Sequence, residues 1–265
     1  MSTTSPADHA VAGTAVTVRV ERAAEHLELT LLGSPAALDD GSGATVSALE
    51  QALISLGATE DGTGTRLVAD HPPDRIHPLP TAVAERLGLH EVRDLFQMRR
   101  PLPVPPDDPG RAGAPPLGLR PFDPSKDVDA WLRAKNRAFA THPDQGRQTP
   151  ETLAATLAEP WIDLDGFLVS DDADRPGELT GFCWTRVHPA HGDDPALGEI
   201  YVIGVDPSHH GQRLGRTLVL AGLDHLAWSG ITTGMLYVEA DNEPALRLYD
   251  RLGFTIHLRH RICSR

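Results

Sequence analysis

Residues 101–118, PLPVPPDDPGRAGAPPLG, limit what this chain can fold into more than any other stretch. Proline locks φ and lacks an amide hydrogen, and glycine at this density adds backbone freedom, so neither a helix interior nor a central strand runs through it. The segment predicts an extended linker between an earlier domain, residues 1–100, and a later one, residues 119–265. A length of 265 residues is enough for two modest domains with a core each.

Beyond the linker the hydrophobic pattern is regular. Residues 119–122 predict a short strand. Asp127 is placed to cap a helix carrying Trp131, Leu132, Lys135 and Phe139, and Thr149-Pro150 opens a second helix faced by Leu153 and Leu157. Residues 167–170 and 179–187 predict strands joined by the turn-rich DDADRPGE, and 199–205, EIYVIGV, a third. A helix follows over 214–228 with Val219, Leu223 and Leu226 at helical spacing, then a strand over 235–239. Asn242-Glu243-Pro244 opens a short helix whose core side is Ala245, Leu248 and Leu252. Gly253 stops it, and 254–260 is the last strand. The order is βααβββαβαβ, an α+β layer on a mixed sheet. Before the linker, strands at 28–32, 66–69 and 92–98 alternate with helices at 46–56 and 81–87. That βαβαβ order repeats the end of the later domain and predicts a duplicated unit whose first copy is shortened at its front.

Composition narrows the function. The 24 basic against 37 acidic side chains give a formal charge of −13, which argues against a nucleic-acid or anionic-membrane surface but leaves room for a local anion site. Cys183 and Cys263 lack metal or redox spacing and read as packed thiols. The opening MSTTSPADHA has neither the basic nor the apolar run of a signal, and no apolar run reaches membrane-spanning length, so a soluble cytoplasmic protein is expected. His188, His191, His209 and His210 have no cysteine or carboxylate at ligand spacing, and no metal is expected.

The strand-to-helix junction at 205–218, VDPSHHGQRLGRTL, sets a glycine-bearing loop at a helix start, where unpaired N–H groups and the macrodipole receive a pyrophosphate. Alone, such a loop is also an ordinary turn. With EIYVIGVDP before it and YVEADNEPALRLYDRLGF after it, the region resembles the GNAT acetyltransferases over nearly all of residues 119–265. The resemblance implies a splayed sheet, in which strand 199–205 parts from strand 235–239 to admit the pantetheine arm of acetyl-CoA. It implies that the backbone of Ile203, Gly204 and Val205 pairs with pantetheine, and that His210, Gly211, Gln212, Arg213, Leu214, Gly215 and Arg216 take the pyrophosphate. Asn242, Glu243, Pro244, Ala245, Leu246 and Arg247 complete the implied cofactor site. The family's loop reads Q/R-x-x-G-x-G/A, and His210 and Arg213 depart from its first and fourth positions. The arginine sets a side chain where backbone approaches phosphate, or else pairs its own guanidinium with it.

Longer stretches carry a closer likeness. FATHPDQG, FCWTRVHPAHGDDPALGEIYVIGVDP, LAGLDHLA and LYVEADNEPALRLYDRLGFT, with TAVAERLGLHEVRDLFQMRRPL ahead of the linker, resemble the mycothiol synthases, which are tandem GNAT enzymes. That resemblance implies acetyl transfer from acetyl-CoA to the cysteinyl amine of cysteinyl-glucosaminyl-inositol, a small thiol-sugar. It implies Glu199 as base, a backbone N–H near Ile203 for the oxyanion, and Tyr249 as proton donor to the departing thiolate. Asp144, Arg186, Glu199 and Tyr237 would line the sugar and cysteinyl pocket, with arginine at 186 where the family usually has lysine. The likeness fails before about residue 60. There SPAALDDGSGAT sets Asp39 and Asp40 where phosphate would lie, and two carboxylates oppose an anion, so no cofactor is expected in the first half. The chain is expected to act as a monomer.

Without the resemblance, Glu199 reads as a solvated strand end, Tyr249 as a packing ring beside Leu248 and Leu252, and Asp144 as a turn residue. Two further functions stay open. One is a GNAT enzyme that acetylates another small amine or a peptide N-terminus. The other is a non-catalytic acyl-CoA-binding regulatory protein, suggested by Arg213 and the eroded front end.

Overall fold

The computed structural model describes residues 6–22, 26–58, 64–140, 148–192 and 194–265. In chain order the elements are β1 (Ala7–Ala10), β2 (Val16–Arg22), β3 (Leu27–Gly33), α1 (Pro35–Leu38), α2 (Gly43–Ser55), β4 (Thr65–His71), α3 (Pro78–Arg86) and β5 (His90–Pro101). They continue with β6 (Arg120–Pro121), α4 (Val128–Ala138), α5 (Pro150–Leu157), β7 (Phe167–Asp171), β8 (Leu179–His188), β9 (Leu197–Val205), α6 (Leu214–Trp228), β10 (Thr233–Glu239), α7 (Glu243–Arg251) and β11 (Thr255–Ser264). From β6 onward this is the βααβββαβαβ order read from the sequence. The contacts divide the chain into unit 1 (Met1–Gln97, Val238–Asn242 and Ile256–Arg265) and unit 2 (Met98–Tyr237 and Glu243–Thr255).

Unit 1 runs β1-β2-β3-β4-β11-β5 across its sheet. Val16, Val18 and Val20 of β2 alternate inward against Leu27, Leu29 and Leu31 of β3, and Leu49, Leu53, Leu79 and Val83 of α2 and α3 close the core. β1 and β2 were not expected from the sequence, and with them the first copy reads βββααβαβ, fuller than the βαβαβ anticipated. A second difference lies at the C-terminus. Sequence reading ends the later domain at residue 265, whereas β11 pairs antiparallel with β4, Arg259 opposite His71 and Arg261 opposite Ala69, and belongs to unit 1.

His71, at the end of β4, is 2% exposed, and burial lowers its imidazole to about 4 from an ordinary 6.5. Between those two values the unfolded chain binds a proton that the folded one refuses, so this histidine's contribution to stability falls as pH drops from 6.5 to about 4. His71→Gln keeps an acceptor for the His77 amide and does not titrate. Its melting temperature is expected to fall less steeply than the parent's across that window, and equal slopes in a pH series of melts would refute the assignment.

Unit 2 runs β10-β9-β8-β7-β6. Its α5 begins as expected, with Thr149 accepting from the Thr152 amide in a reciprocal capping box and proline in the first turn. Asp127 does not act as the expected cap. It makes no capping bond, because its carboxylate accepts instead from Arg120 (2.6 and 2.9 Å) and from the Asp123 amide (2.8 Å). α6 has the bounds expected of it and buries Leu214, Leu218, Val219, Leu223 and Leu226. It lies close on the sheet at Gly222, where a Cβ would sit 2.7 Å from both Cys183 Sγ and Ile200 Cδ1.

Residues 101–118 are a packed strap and not a free tether. The Thr217 hydroxyl donates to the Pro115 carbonyl (2.8 Å), Arg216 donates to the Ala112 carbonyl, and Arg111 pairs with Asp224 (3.0 Å), all of these partners lying on α6. A proline-rich chain leaves its carbonyls unpaired, and this helix supplies the donors.

Candidate active site

β9 and β10 lie parallel and pair only at Gly234–Gly198 and Met235–Glu199. Beyond Glu199 the two strands share no ladder, so a wedge opens between them, as the splayed sheet requires. Its cause is local. Across β8 and β9, Trp184 pairs with Val202 but Thr185 with Ile200, which leaves Tyr201 as the extra residue of a β-bulge. A bulge bends its strand and disrupts pairing, and this one falls immediately past the last β9–β10 partners. Ile203, Gly204 and Val205 line the β9 arm of the wedge, and Tyr237, half exposed, stands on β10.

Glu199 sits at the apex, 7% exposed. Its carboxylate lies 2.7 Å from the Nε2 of His188, a histidine near the end of β8 that sequence reading considered only as a metal ligand. Directly across the ladder from Glu199 is Arg186. Its guanidinium stacks on the Trp161 ring at 4.4 Å and lies 5.7 Å from the Tyr201 ring. Trp161 and Tyr201 were not expected, and they give this flank an aromatic wall. Asp144 lies outside the described residues.

Tyr249 projects inward from α7, 7% exposed, its ring edge-on to Phe254 at 5.8 Å. Burial pushes its phenol well above the ordinary value and keeps it a neutral O–H donor. Cys183 is fully buried and its thiol is pushed up to about 12 by desolvation, so it holds no thiolate at neutral pH.

The expected pyrophosphate loop closes β9 onto α6. Asp206 anchors it. Burial opposes ionisation of that carboxyl, but bonds from the Ser208 hydroxyl and amide and from Arg137 and Arg175 prevail and hold it well below the usual range. His209 is tied to Asp172 at 2.8 Å, and His210 Nε2 lies 3.3 Å from the Val205 carbonyl. Gly211 has φ +82°, and Arg213, at the N-cap of α6, has φ 61° and ψ 18°. The arginine thus adopts the left-handed conformation that glycine takes readily and that costs other residues about 1–2 kcal/mol. Its guanidinium lies beside the strap, 3.5 Å from where a Cβ on Gly113 would be. Leu214 is buried, and Gly215 and Arg216 continue the first turn of α6. Gly215 faces Leu248 of α7, a Cβ there being 3.5 Å from Leu248 Cδ2, so the later turn of α7 lies against the start of α6. Asn242, Glu243, Pro244 and Arg247 are exposed, with Ala245 and Leu246 half-buried, and Arg247 donates back to Glu243 at 2.8 Å. Among the described residues no cluster of His, Cys, Asp or Glu is placed to hold a metal ion.

The sequence profile of the Acetyltransferase (GNAT) family matches residues 129–254. Over 244 residues the chain is 40% identical to the mycothiol acetyltransferase of Kocuria rhizophila, covering 91% of this chain and 77% of that protein. The chain belongs to the mycothiol acetyltransferase family. It is 46% identical over 234 residues to the mycothiol acetyltransferase of Acidimicrobium ferrooxidans, covering 87% of this chain and 71% of that one. The fold has parallels in a GCN5-related N-acetyltransferase from Sphaerobacter thermophilus (TM-score 0.65, 20% identity, 95% and 76% of the two chains) and in a tandem GNAT protein of clavulanic acid biosynthesis (TM-score 0.56, 20% identity, 95% and 78%). A mycothiol acetyltransferase-family chain with this fold is an acyltransferase.

In unit 1 the stretch SPAALDDGSGAT forms α1 and the start of α2. Asp39 accepts from Arg75 (2.6 Å) and lies 2.7 Å from His77 Nδ1, while Asp40 accepts from the Thr45 hydroxyl (2.6 Å) and the Ser42 amide (3.2 Å). Both carboxylates are engaged in holding their own loop.

Proposed function

We propose that the chain transfers the acetyl group of acetyl-CoA to the cysteinyl amine of cysteinyl-glucosaminyl-inositol, giving mycothiol. The observation that carries this reading is the wedge whose apex holds a buried carboxylate backed by a histidine. The pantetheine arm extends β9 through the backbone of Ile203, Gly204 and Val205, with the pyrophosphate at the loop His210–Arg216 and the flank of the cofactor against Asn242–Arg247. The amine nitrogen attacks the thioester carbonyl carbon, and its proton passes to Glu199, directly or through a water. His188 shares that carboxylate and, being partly exposed, leads the proton toward solvent. A backbone N–H near Ile203 receives the oxyanion. As the C–S bond breaks, the thiolate takes the Tyr249 proton, and the phenol regains one from solvent. Arg186, Tyr237 and Asp144 hold the sugar and cysteinyl groups.

The test is release of free CoA from acetyl-CoA with a panel of amines: cysteinyl-glucosaminyl-inositol, glucosaminyl-inositol, cysteine and a peptide with a free N-terminus. Rapid release with the first alone is expected. Equal release with all, or with the peptide alone, would replace this acceptor by another amine, and no release with any would leave a non-catalytic protein.

Two variants probe the roles. Tyr249→Phe is expected to lower turnover by about 10²-fold or less, the lower end for one general acid because a thiolate leaves readily, with acetyl-CoA affinity nearly unchanged. Full activity in Tyr249→Phe would make this ring a packing group. Arg213→Gly is expected to weaken acetyl-CoA about tenfold, equivalent to about 1.4 kcal/mol, because a charge-assisted bond to phosphate is lost. The same change leaves the melting temperature level or higher, since it relieves the left-handed strain. Calorimetric titration decides it, and unchanged affinity would show that this arginine contributes only backbone.

A further inference from the structure

Arg186 lies directly across the ladder from Glu199, so the two side chains share one face of the sheet. Among the described residues no carboxylate pairs with its guanidinium, and its Nε–H is buried without a partner. What holds this cation is aromatic. Its Cζ lies 4.4 Å from the centroid of the Trp161 ring and 5.7 Å from that of Tyr201. A ring face attracts a guanidinium through its quadrupole, and the planar group keeps one orientation on it.

Both rings are themselves fixed. Trp161 packs on Trp184 with centroids 5.8 Å apart and planes 30° apart, and Tyr201 stands edge-on to both, at 5.2 and 5.6 Å. Tyr201 reaches this face only through the bulge. Strict alternation would send Tyr201 and Val202 to opposite faces, yet Val202 pairs with Trp184 and packs with it, and the Tyr201 ring meets Trp184 as well. Trp161 comes from the irregular connection after α5 and is half-buried at the margin of the aromatic core. A strand irregularity and a loop thus bring two rings to one arginine beside the buried carboxylate.

We infer that Trp161 and Tyr201 are positioning residues for the acceptor: they hold the Arg186 guanidinium in one plane beside Glu199, where its paired N–H groups receive two neighbouring hydroxyl oxygens of the sugar. The inference rests on the acetyl-transfer reading and adds to it which part of the acceptor Arg186 grips. A carboxylate partner would occupy those N–H groups, whereas ring faces fix the plane and leave its Nη edge available. Parallel donors suit two oxygens side by side. Vicinal ring hydroxyls offer such a pair, and the cysteinyl amide offers a single carbonyl oxygen. An anionic group here would face the Glu199 carboxylate across the ladder, so uncharged oxygens fit better.

The experiment removes the ring face. Trp161→Leu is expected to raise the Michaelis constant for cysteinyl-glucosaminyl-inositol about tenfold, with kcat and the acetyl-CoA dissociation constant changing by less than about twofold. Calorimetric titration of glucosaminyl-inositol, the same sugar without the cysteinyl group, should show its affinity falling by a similar factor. Trp161→Tyr keeps a ring face and should recover most of the loss. In an Arg186→Met background Trp161→Leu should add less than about twofold, because the two side chains act as a unit. Tyr201→Leu, whose ring is the more distant, is expected to cost about threefold and serves should Trp161→Leu fail to fold. Losses that add to those of Arg186→Met, or an equal loss of acetyl-CoA affinity, would make the rings packing groups and overturn the proposal. A raised Michaelis constant with unchanged glucosaminyl-inositol affinity would overturn the assignment to the sugar. A parent that acetylates no amine removes the acetyl-transfer reading and this proposal together, whereas an active parent with an unaffected Trp161→Leu removes the proposal alone.

Discussion

Glu199→Gln is expected to lower kcat/KM by about 10²–10⁴-fold at pH 6–7 and by much less at pH 9. The acceptor is an α-amino group with an ordinary pKa of about 7.7–8.0, so below neutrality most of it is protonated and must give up a proton to react. Glutamine fits the same space and still meets His188 but accepts no proton. Above pH 9 the amine is free without help, and the deficit should shrink. His188→Gln separates the two members of the pair. It retains an N–H to hold the carboxylate and loses the ring that passes a proton outward, so its deficit should be smaller than that of Glu199→Gln and should also grow toward acid. The measurement is a pH–rate profile of both variants beside the parent, with acetyl-CoA affinity titrated separately. A Glu199→Gln deficit constant across pH would make that residue an orienting group. A His188→Gln variant indistinguishable from the parent would leave the 2.7 Å contact a structural one.

The elements of unit 2 were legible because their punctuation is local. The Thr149-Pro150 start, the helical spacing of Val219, Leu223 and Leu226, and the Gly253 stop with φ +74° each depend on a few neighbouring residues. β2 alternates Val16, Val18 and Val20 with Thr17 and Arg19 after a turn at Gly13 (φ +76°), but the run is short and no motif fixes its pairing. The placement of β11 is of another kind. Nothing in TIHLRHRICS specifies whether it pairs with β4, and that choice rests on contacts between residues some two hundred positions apart in sequence. A consequence follows for dissecting the chain: removing residues 1–100 also deprives the C-terminal strand of its β4 partner.

The site divides similarly. Glu199, Gly204 and the 210–216 loop are recognisable because strand, loop and helix follow one another in the chain. The histidine behind Glu199 was visible in principle. With β8 and β9 as a hairpin, a register that sets Arg186 opposite Glu199 brings His188, two residues along, onto the same face. Fixing that register needs the length of the connection, which includes the His191–Asp194 bridge, and no motif announces it. Trp161 reaches Arg186 from the segment after α5 by tertiary packing alone. The strap is more than a tether for a physical reason: proline and glycine exclude regular structure but not packing, and its carbonyls find donors on α6.

Trp131→Ala is expected to destabilise unit 2 by about 3–5 kcal/mol. The indole, fully buried, is the hub of an aromatic core. Phe122, Phe167 and Trp184 form a parallel stack with successive centroids 4.2 and 4.3 Å apart. Trp131 meets all three edge-on at 6.3, 5.3 and 5.9 Å, and Phe182 at 5.5 Å. Alanine deletes the apolar area and leaves a cavity bounded by rings that the sheet holds in place, so little collapse can offset it. Lys135, whose ammonium lies 5.3 Å from the Trp131 ring and is lowered to about 8 by burial, also loses its aromatic neighbour. For a unit of this size the loss corresponds to a fall in melting temperature of roughly 6–20 °C. Function should follow through packing: Trp184 carries Trp161 at 5.8 Å, and Trp161 carries Arg186, so the Michaelis constant for the amine should rise more than that for acetyl-CoA. Trp131→Phe keeps a ring in the hub and should recover about half of the stability. Urea unfolding followed by circular dichroism, with initial rates for both substrates at a temperature where each variant is folded, measures both effects. A loss below about 0.5 kcal/mol, within what surface positions commonly show, or equal changes in the two Michaelis constants, would mean that the stack holds itself and the acceptor flank without Trp131.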